Sequence, residues 1–394
     1  MALPGAARPP FWRDVRVLRV AAQVVVVALV VLGIRQLFQN LVSGLEATGI
    51  STTFDFLESP AGFRVADSDF NPRSSSVALF AQGIKNTLLV AVVGIVIASI
   101  IGLLVGIARL SSNWLLAKLA TAFVETLRNI PPLVVIIFFF AAMFRDALPA
   151  VREARRVGAP VGDHTAFLFS NSSFAVPSFV REDAFSTWLA LVGVLTVVTA
   201  GLWVWRTRVE VATGKPARRV AVTTAALGGG TLLGLVLLDP LSWSWPVLEG
   251  NTIAGGFRFT TAYAALTLAL ALYTASHIAE IIRGSIQAVH KGQFEAAEAL
   301  ALTGFQRYRF VILPQALRIA VPPTINQYLN LTKNTSLAVA IGYPDLTNLT
   351  KSLIGNGKPA PQSLLILMAI YLVFSLVISL LVNLFNRRLR LVGR

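Results

Sequence analysis

The sequence contains no cysteine and only three histidines among its 394 residues. The absence of cysteine excludes disulfide bonds, thiol nucleophiles and thiolate metal sites. The histidines, His164, His277 and His290, lack the HExxH spacing of a zinc site on a helix. We therefore expect no metal site built by this chain.

Charged residues are also scarce. They make up 13% of the chain, whereas 55% of the residues are hydrophobic and the mean hydropathy is +0.70. In a soluble domain about a quarter of the residues are charged, so this composition indicates an integral membrane protein. The net charge of +15 comes from basic residues that flank apolar runs, which is typical of membrane topology and not of a nucleic-acid-binding face. We expect no nucleic-acid partner.

Motifs for phosphate binding and hydrolysis are absent as well. A P-loop requires GxxxxGK followed by Ser or Thr. The two Gly-Lys pairs, Gly214-Lys215 and Gly357-Lys358, are each followed by Pro and lack the earlier glycine. No GxSxG elbow and no pair of carboxylates in a soluble domain indicates an active site. We predict no catalytic residues and no ATP hydrolysis by this chain.

Eight apolar segments are long enough to cross a bilayer, which takes about 20 residues of helix. The first follows Arg13, Arg16 and Arg19, as in a secretory signal peptide, but no small-x-small cleavage site comes after it. We predict a retained helix there. The predicted spans are 20–37, 85–108, 119–143, 186–205, 219–238, 260–282, 319–341 and 363–385.

Flanking basic residues predict the orientation, because Lys and Arg remain on the cytoplasmic side during insertion. An inside N-terminus places more than half of the 34 basic residues on that side, with the sharpest signals in the turn 206–219 and at 386–390. Both tails, 1–19 and 387–394, are therefore predicted to be cytoplasmic. The outer loops, 39–82 and 145–185, are predicted to form short helices or ordered loops.

One partly charged segment stands between the last apolar spans, Lys291–Arg318, KGQFEAAEALALTGFQRYRFVILPQALR. Strong helix formers predict a helix from Phe294 to Thr303, with a stop at Gly304. A second helix is predicted from Phe305 to a break at Pro314. The segment is either a docking element for a soluble partner or an amphipathic helix lying on the membrane. The compact arrangement of two short helices favours docking.

This segment resembles the EAA loop of permease subunits in ABC importers, through Glu295-Ala296-Ala297 and Ile312-Leu313-Pro314. The resemblance implies a coupling helix that fits a groove of a cytoplasmic ATPase. The family usually has Gly six positions after the Glu, where this chain has Ala301, with Gly304 slightly later. The implied coupling residues are Gly292, Glu295, Ala296, Ala297, Ala301, Gly304, Ile312, Leu313 and Pro314.

Further motifs are similar to the polar amino-acid uptake branch of these permeases. They are Asn86-Thr87-Leu88, FVETLRNIPPLV at 123–134, HIAEIIRGSIQAVHKGQ at 277–293 and LTKNTSLAVAIGYPDL at 331–346. Departures from the smaller members are Asn129-Ile130 and Asn334. The resemblance implies an all-α type I permease. Its core comprises 84–144 and 260–386, and the additions are a leading helix and outer loop, 20–83, and an insertion with two further helices, 145–259.

The resemblance also implies an assembly and a substrate class. Two ATPase subunits bind ATP and Mg²⁺, so this chain needs no cofactor of its own, and a periplasmic amino-acid-binding protein delivers the substrate. The second permease is a second copy or a different chain, and the general amino-acid importers favour a related different chain. The implied location is a bacterial inner membrane, and the implied substrates are glutamate, glutamine, aspartate and asparagine.

Two cations, Arg128 and Lys333, lie within predicted spans. A charge there costs several kcal/mol unless it faces a cavity, a partner or the interface. An amino-acid carboxylate is a suitable partner for either cation, and the neighbouring Asn334, Thr335 and Ser336 offer hydrogen bonds. The alternative is a buried ion pair or a carbonyl cap at a kinked helix, and the sequence leaves both interpretations open.

Prolines interrupt the predicted spans close to these cations, at Pro131-Pro132 and Pro322-Pro323. Proline removes a backbone donor, and broken helices often line a binding site in transporters. Kinks are common in membrane helices, so a purely structural role is equally compatible with the pattern.

Glycines and one acid have simpler interpretations. Gly102 with Gly106, and Gly230 with Gly234, each form a small-xxx-small face that predicts helix packing. Glu280 lies three residues before Arg283, which favours a local ion pair over a role in gating or a proton path.

Two other classes remain to be distinguished from an importer subunit. A stand-alone secondary transporter or channel would use Glu280, Arg128 and Lys333 as an ion relay, but has no need of an EAA loop. A membrane anchor without transport would carry no polar residues along its spans, which Arg128 and Lys333 contradict.

Overall fold

The computed structural model describes Trp12 and residues 14–49, 52–66, 68–157, 167–214, 216 and 218–389. Most of the predicted N-tail and residues 390–394 of the predicted C-tail lie outside this part of the chain. So do Arg13 and Lys215, on which part of the orientation argument depends.

Most of the described chain is helical. Its α-helices are α1 (Val15–Ala47), α2 (Ser76–Ala108), α3 (Trp114–Asn129), α4 (Pro132–Ile137), α5 (Phe185–Thr213), α6 (Arg219–Leu238), α7 (Thr261–Gln287), α8 (Lys291–Ala299), α9 (Gly304–Arg307), α10 (Leu313–Asn334), α11 (Leu346–Gly355) and α12 (Ala360–Leu389). Two π-helical segments, Phe138–Arg145 and Tyr308–Ile312, and three 3₁₀ segments, Asp55–Leu57, Val151–Glu153 and Thr335–Ala340, join them.

Six helices of the described residues are long and apolar enough to cross a membrane, namely α1, α2, α5, α6, α7 and residues 360–380 of α12. A seventh span results if α3 and the helix from Pro132 to Arg145, bent by 107°, count as one. All eight predicted spans fall on helices, but 319–341 falls on α10 and its 3₁₀ extension. This segment is not among the candidate spans because Gln327, Asn330 and Lys333 lower its hydropathy. By length and apolar composition, six or seven of the eight predicted spans thus qualify among the described residues.

The chain divides into two units, and the division passes through α2 between Lys85 and Asn86. The first unit comprises residues up to Lys85 together with Leu346–Leu380. Within it, the first turns of α2, the loop before α2 and helix α11 enclose a small core that includes Phe56, Leu79, Leu346 and Leu353. Helix α1 of this unit buries none of its residues.

The second unit, which includes Asn86–Asp345, is organised around α7. Of the apolar window of α7, 61% is buried, against 28% or less in the other candidate spans. Small residues such as Ala265, Ala269 and Ala275 let the neighbouring helices approach closely. Helices α3, α4 and α10 all contact α7, which is therefore the central element of this unit.

Glycines permit two of the close helix contacts, as predicted. A Cβ on Gly102 of α2 would lie 2.7 Å from Ile278 of α7, and one on Gly106 would lie 2.9 Å from the carbonyl oxygen of Ala279. In the hairpin of α5 and α6, a Cβ on Gly234 would lie 2.6 Å from Leu191. Both contacts depend on the absence of a side chain.

The break between α3 and α4 occurs where the sequence places it. Ile130, which precedes Pro131, is extended with φ −98° and ψ 131°, and Pro132 begins α4. Pro322 and Pro323 behave differently, because α10 continues through both of them. The predicted interruption there is absent. Burial of Ala316, Ala320 and Leu331 on the inner face of α10 offsets the two lost backbone hydrogen bonds.

Short strands between α4 and α7 were not predicted. A four-stranded antiparallel sheet has the order β1 (Arg155–Val157), β2 (Phe167–Phe169), β3 (Ser173–Val176), β8 (Phe257–Thr260). Two ribbons pair β4 (Ser178–Arg181) with β5 (Leu241–Ser244), and β6 (Val247–Glu249) with β7 (Thr252–Ala254). The ring of Phe174 on β3 lies 5.1 Å from that of Phe144, which attaches the larger sheet to the helices.

Candidate functional site

The segment Lys291–Arg318, called here the coupling loop, begins with a capped helix. His290 is the N-cap of α8, and its Nδ1 accepts a hydrogen bond of 3.1 Å from the backbone N–H of Gly292. A Cβ on Gly292 would lie 3.1 Å from the same Nδ1. The predicted coupling residue Gly292 thus leaves room for the side chain that caps its own helix.

The same helix ends at Ala299 with Leu300 as its C-cap, and Ala301 follows at the position where the family usually has Gly. The N–H of Leu302 donates to the carbonyl of Ala297 at 3.1 Å, and the N–H of Ala301 donates to that of Glu298 at 2.8 Å. This is a Schellman motif, whose residue after the C-cap must be left-handed. Ala301 has φ +51°. An alanine therefore adopts a conformation that disfavours any side chain.

Gly304 does not stop the first helix, contrary to the prediction. It begins α9, whose N-cap is Thr303. Thr303 and Gln306 form a capping box, in which the N–H of Thr303 donates to Oε1 of Gln306 at 3.0 Å. The turn of the coupling loop is therefore at Ala301, and the following helix begins at once.

Pro314 does not break the second helix, which is a second correction. Helix α9 passes into the π-helical segment Tyr308–Ile312 and then into α10, where Pro314 occupies the first turn. Proline lacks a backbone N–H, and the π-helical segment just before it is a local adjustment by which a continuous helix accommodates that loss. The coupling loop is thus continuous with the long helix α10.

Polar contacts brace the two arms of the coupling loop. Glu298 of α8 forms an ion pair with Arg307 of α9. Gln315 of α10 donates to Gln293 of α8 at 2.9 Å. Because both contacts join α8 to the arm that leads into α10, the loop holds together as one body.

An apolar cluster fixes this body to the ends of α7 and α10. Its buried members are Ile286 and Val289, at the end of α7, and Ile312 and Ala316, at the start of α10. Phe294 of α8 packs against them. Phe294 therefore connects α8 to both long helices through packed side chains.

The outer surface of the coupling loop combines charge with exposed apolar side chains. Glu295 and Ala296 are exposed, whereas Ala297 is 2% exposed and faces inward. Leu300 and Phe305, beside the turn, are 74% and 71% exposed. Large apolar side chains rimmed by polar residues on a rigid element are typical of a protein-binding surface.

The candidate cation Arg128 lies in the last turn of α3, directly before the break at Pro131. Its side chain is exposed, and no ion pair involves it among the described residues. A cation at a helix C-terminus interacts favourably with the free carbonyls there. The guanidinium therefore remains available to an anion beside the broken helix.

Lys333 occupies the equivalent place on α10, in its last turn before the 3₁₀ segment. Lys333 is exposed and Asn334 half-buried, whereas Thr335 is fully buried. The hydroxyl of Thr335 donates to the carbonyl of Thr332, and the hydroxyl of Ser336 donates to that of Lys333. Each hydrogen bond is 2.8 Å long. Lys333 and Asn334 are thus the more accessible pair of the predicted set.

Both candidate positions adjoin the same core. Leu127 and Ile130, on either side of Arg128, pack on the cluster around α7, and so do Leu331 and Leu337, on either side of Lys333. The two cations are therefore presented from helix ends that share one core. The described residues contain no group of three His, Cys, Asp or Glu side chains suited to a metal ion.

An ion triad was only partly foreseen. Glu280 of α7 pairs with Arg283 through two hydrogen bonds of 2.5 and 3.0 Å, as the spacing predicts. It also pairs with Arg109, which follows α2. A carboxylate held by two guanidiniums is a poor proton carrier, so the triad favours a structural link between α2 and α7 over a proton path. Arg109 was missed because it lies far from Glu280 in sequence.

The family model described as "Binding-protein-dependent transport system inner membrane component" matches residues 162–391. The chain belongs to this family. It is therefore a polytopic membrane permease, and the predicted helical fold of a type I ABC importer permease is confirmed.

Relatives extend the match over almost the whole permease. It is 40% identical over 376 residues to the putative amino-acid ABC transporter permease protein YhdX of Escherichia coli strain K12, covering 94% of both chains. It is 41% identical over 362 residues to the general L-amino acid transport system permease protein AapQ of Rhizobium johnstonii, covering 90% of this chain and 88% of the relative.

A third relative is named for particular substrates. The glutamate/glutamine/aspartate/asparagine transport system permease protein BztB of Rhodobacter capsulatus is 35% identical over 412 residues, covering 97% of this chain and 96% of the relative. A solved structure described as an amino acid ABC transporter with histidines matches with a TM-score of 0.49 and 20% identity, over 79% of this chain and 95% of that chain.

Proposed function

We propose that the permease imports L-amino acids, including glutamate, glutamine, aspartate and asparagine, across the bacterial inner membrane in an ATP-driven complex. The names of two relatives, which refer to general L-amino acids and to these four substrates, support the substrate class. The complex would contain two ATPase subunits, a second permease of related sequence and a periplasmic binding protein. Both termini of the chain would be cytoplasmic.

The observation that carries this proposal is the braced coupling loop. A permease without a P-loop needs a contact through which a separate ATPase acts, and ATP with Mg²⁺ would be bound by that subunit. Glu295, Leu300 and Phe305 lie on the outer surface of a loop whose base packs on α7 and α10. We infer that this surface fits the ATPase.

The mechanism follows from this linkage. Closure of the ATPase dimer would push α8, and the packing of Phe294 on the apolar cluster at the ends of α7 and α10 would pass that displacement to both helices. Because a ligand shifts an equilibrium only through differential affinity, ATP and the loaded binding protein must both favour the outward-open state. Arg128 or Lys333 would receive the substrate carboxylate as it passes.

Reconstitution of the complete transporter in liposomes tests the proposal. We expect ATP-dependent uptake of labelled glutamate and glutamine in the presence of the binding protein. ATP-independent uptake by this chain alone would contradict the importer function. A basic amino acid, assayed in parallel, measures how far the substrate range extends.

A charge reversal tests the coupling surface itself. Glu295→Lys should abolish uptake and the stimulation of ATP hydrolysis by the loaded binding protein, while membrane insertion is preserved. Glu249→Lys, at an exposed glutamate of β6 far from the coupling loop in sequence, is the matched control and should transport normally. Normal coupled transport by Glu295→Lys would count against docking at this surface.

A further inference from the structure

The hairpin of α5 and α6 ends in a ribbon that has no assigned role. Strand β4 directly precedes α5, and β5 directly follows α6, so the ribbon lies at the end of the hairpin opposite the turn between Thr213 and Arg219. The backbone N–H of Glu182 donates to the carbonyl of Pro240 at 3.0 Å and closes the gap between strands and helices. The ribbon is thus a direct continuation of two candidate membrane spans.

The ribbon has two chemically different faces. The register pairs Phe179 with Trp243 and Arg181 with Leu241, whereas Ser178 faces Ser244 and Val180 faces Ser242. Paired residues point to the same face and successive residues alternate between faces. One face is therefore aromatic, apolar and basic, and the other consists of three serines and a valine.

The two aromatic residues of the first face are largely exposed. Phe179 is 55% exposed and Trp243 57%, although their rings lie only 4.1 Å apart. Trp245 stacks on Trp243 at 5.8 Å. On the serine face, Oγ of Ser244 accepts a hydrogen bond of 2.9 Å from the N–H of Gly256. The serine face is thus hydrogen-bonded to the neighbouring loop.

The position and chemistry of the aromatic face match the headgroup layer of a bilayer. Aromatic side chains, Trp above all, concentrate at the ends of membrane spans, where an apolar ring meets polar headgroups. The guanidinium of Arg181 lies 4.9 Å from the ring centre of Phe185, the first residue of α5. Such an arginine covers an aromatic ring while its charge reaches phosphate.

We propose that the aromatic face of the β4–β5 ribbon, made of Phe179, Arg181, Leu241 and Trp243, lies in the lipid headgroup layer and sets the depth of the α5–α6 hairpin. Its partner is the lipid surface and not a soluble protein. The inference requires only that α5 and α6 span a membrane, so it stands apart from the identity of the transported molecule.

The absence of cysteine allows a direct test. Phe179→Cys and Val180→Cys place single thiols on opposite faces of one strand, at residues that are 55% and 47% exposed. The full chain is placed in nanodiscs of phosphatidylethanolamine and phosphatidylglycerol and treated with a water-soluble maleimide. Thiolate is the reactive form, so burial among lipids should slow Phe179→Cys by roughly tenfold relative to Val180→Cys.

A second variant protects the test against loss of folding. Trp243→Cys, on the aromatic face of the partner strand, should show the same slow labelling, and each variant is accepted only with a thermal midpoint close to that of the parent. Equal labelling rates on both faces would overturn the proposal. Protection that appears only when a soluble periplasmic extract is added would also overturn it, since a protein would then cover the face.

Discussion

Asn86 joins two parts of the second unit that lie far apart in sequence. Its Nδ2 donates to the carbonyl of Pro344 at 2.7 Å, across 258 positions, and the hydroxyl of Tyr343 donates to the carbonyl of Asn86 at 3.2 Å. Asn86 and Tyr343 are both buried, so loss of the Asn86 amide would leave the carbonyl of Pro344 without this donor, at a cost of about 1–3 kcal/mol. The contact holds the start of the long α2 core segment against the turn before α11.

Ala301 gives a prediction with a defined sign. Ala301→Gly should stabilise the turn of the coupling loop by about 1 kcal/mol, because glycine adopts a left-handed conformation without the steric penalty of a Cβ. The amide of Leu302, which closes the Schellman motif, should then exchange its hydrogen about fivefold more slowly. Hydrogen exchange of the full chain, followed by mass spectrometry, measures the exchange rate at Leu302.

The control for this experiment lies two residues earlier. Ala299→Gly introduces the same substitution within α8, where glycine costs about 1 kcal/mol relative to alanine. Exchange at Leu302 should become faster in that variant. If both variants shift exchange in the same direction, the strain assigned to Ala301 is not the cause.

The two exposed cations predict a loss of substrate affinity. Arg128→Ala or Lys333→Ala should raise the KM for glutamate uptake by roughly tenfold, as expected for the loss of a charge-assisted hydrogen bond of about 1.5–3 kcal/mol. Lys351→Ala, at an exposed lysine of α11, is the matched control and should leave KM unchanged. Unchanged KM in both variants of the assembled transporter would rule out carboxylate binding by these residues.

At the scale of the elements, α7 is packed closely by α2, which carries glycine where the two helices meet. Gly102 and Gly106 bring α2 against the backbone carbonyls of Ala275 and Ala279, at distances that leave no room for a Cβ. The ion triad of Glu280, Arg109 and Arg283 links the end of α2 to α7. Packing and charge therefore fix α2 to α7 along a shared face.

Gly102→Ala should accordingly destabilise the protein by about 1–3 kcal/mol, since the added methyl group overpacks the contact with Ile278. A lower thermal midpoint in detergent, followed by tryptophan fluorescence, measures the loss. Gly284→Ala in α7 is the control, because a Cβ there meets nothing within 4 Å. Its midpoint should be equal or higher, as alanine favours a helix. A midpoint for Gly102→Ala as high as this control would refute the close contact.

The elements that were predictable from sequence are those with a strong local signal. Long apolar runs fall on helices, and Pro131 marks a break because the extended Ile130 precedes it. The strands were not predictable, since each has only three or four residues and depends on partners distant in sequence. The continuity of α10 through Pro322 was missed because it depends on tertiary packing, which periodicity does not show.

The candidate site also contains features that the local sequence predicts and features that depend on tertiary contacts. The EAA and ILP residues of the coupling loop are recognisable locally, whereas its bracing by Gln293 with Gln315 requires the three-dimensional arrangement. The turn at Ala301 was assigned to Gly304, because glycine is the usual left-handed residue and the alanine gives no such signal. The local motifs thus predicted where the coupling loop lies, whereas the position of its turn depends on the backbone conformation of Ala301.

For the whole molecule, the orientation in the membrane is the property that charge alone predicts. Ala212→Cys, near the basic turn after α5, should react with an impermeant maleimide only after the cells are permeabilised. Glu249→Cys, on the far side of α6, should react in intact spheroplasts. The reverse pattern would place both termini outside and would leave the coupling loop on the wrong side for a cytoplasmic ATPase.

Helix α1 contributes no side chain to the buried cores of the described residues. None of its residues is buried, and the four cores of the described chain are formed by residues from Phe56 onward. A gene shortened to start after α1 would therefore still encode every one of these core side chains. The leading helix is in this sense a detachable module, whose gain or loss during evolution need not have altered the interior of the permease.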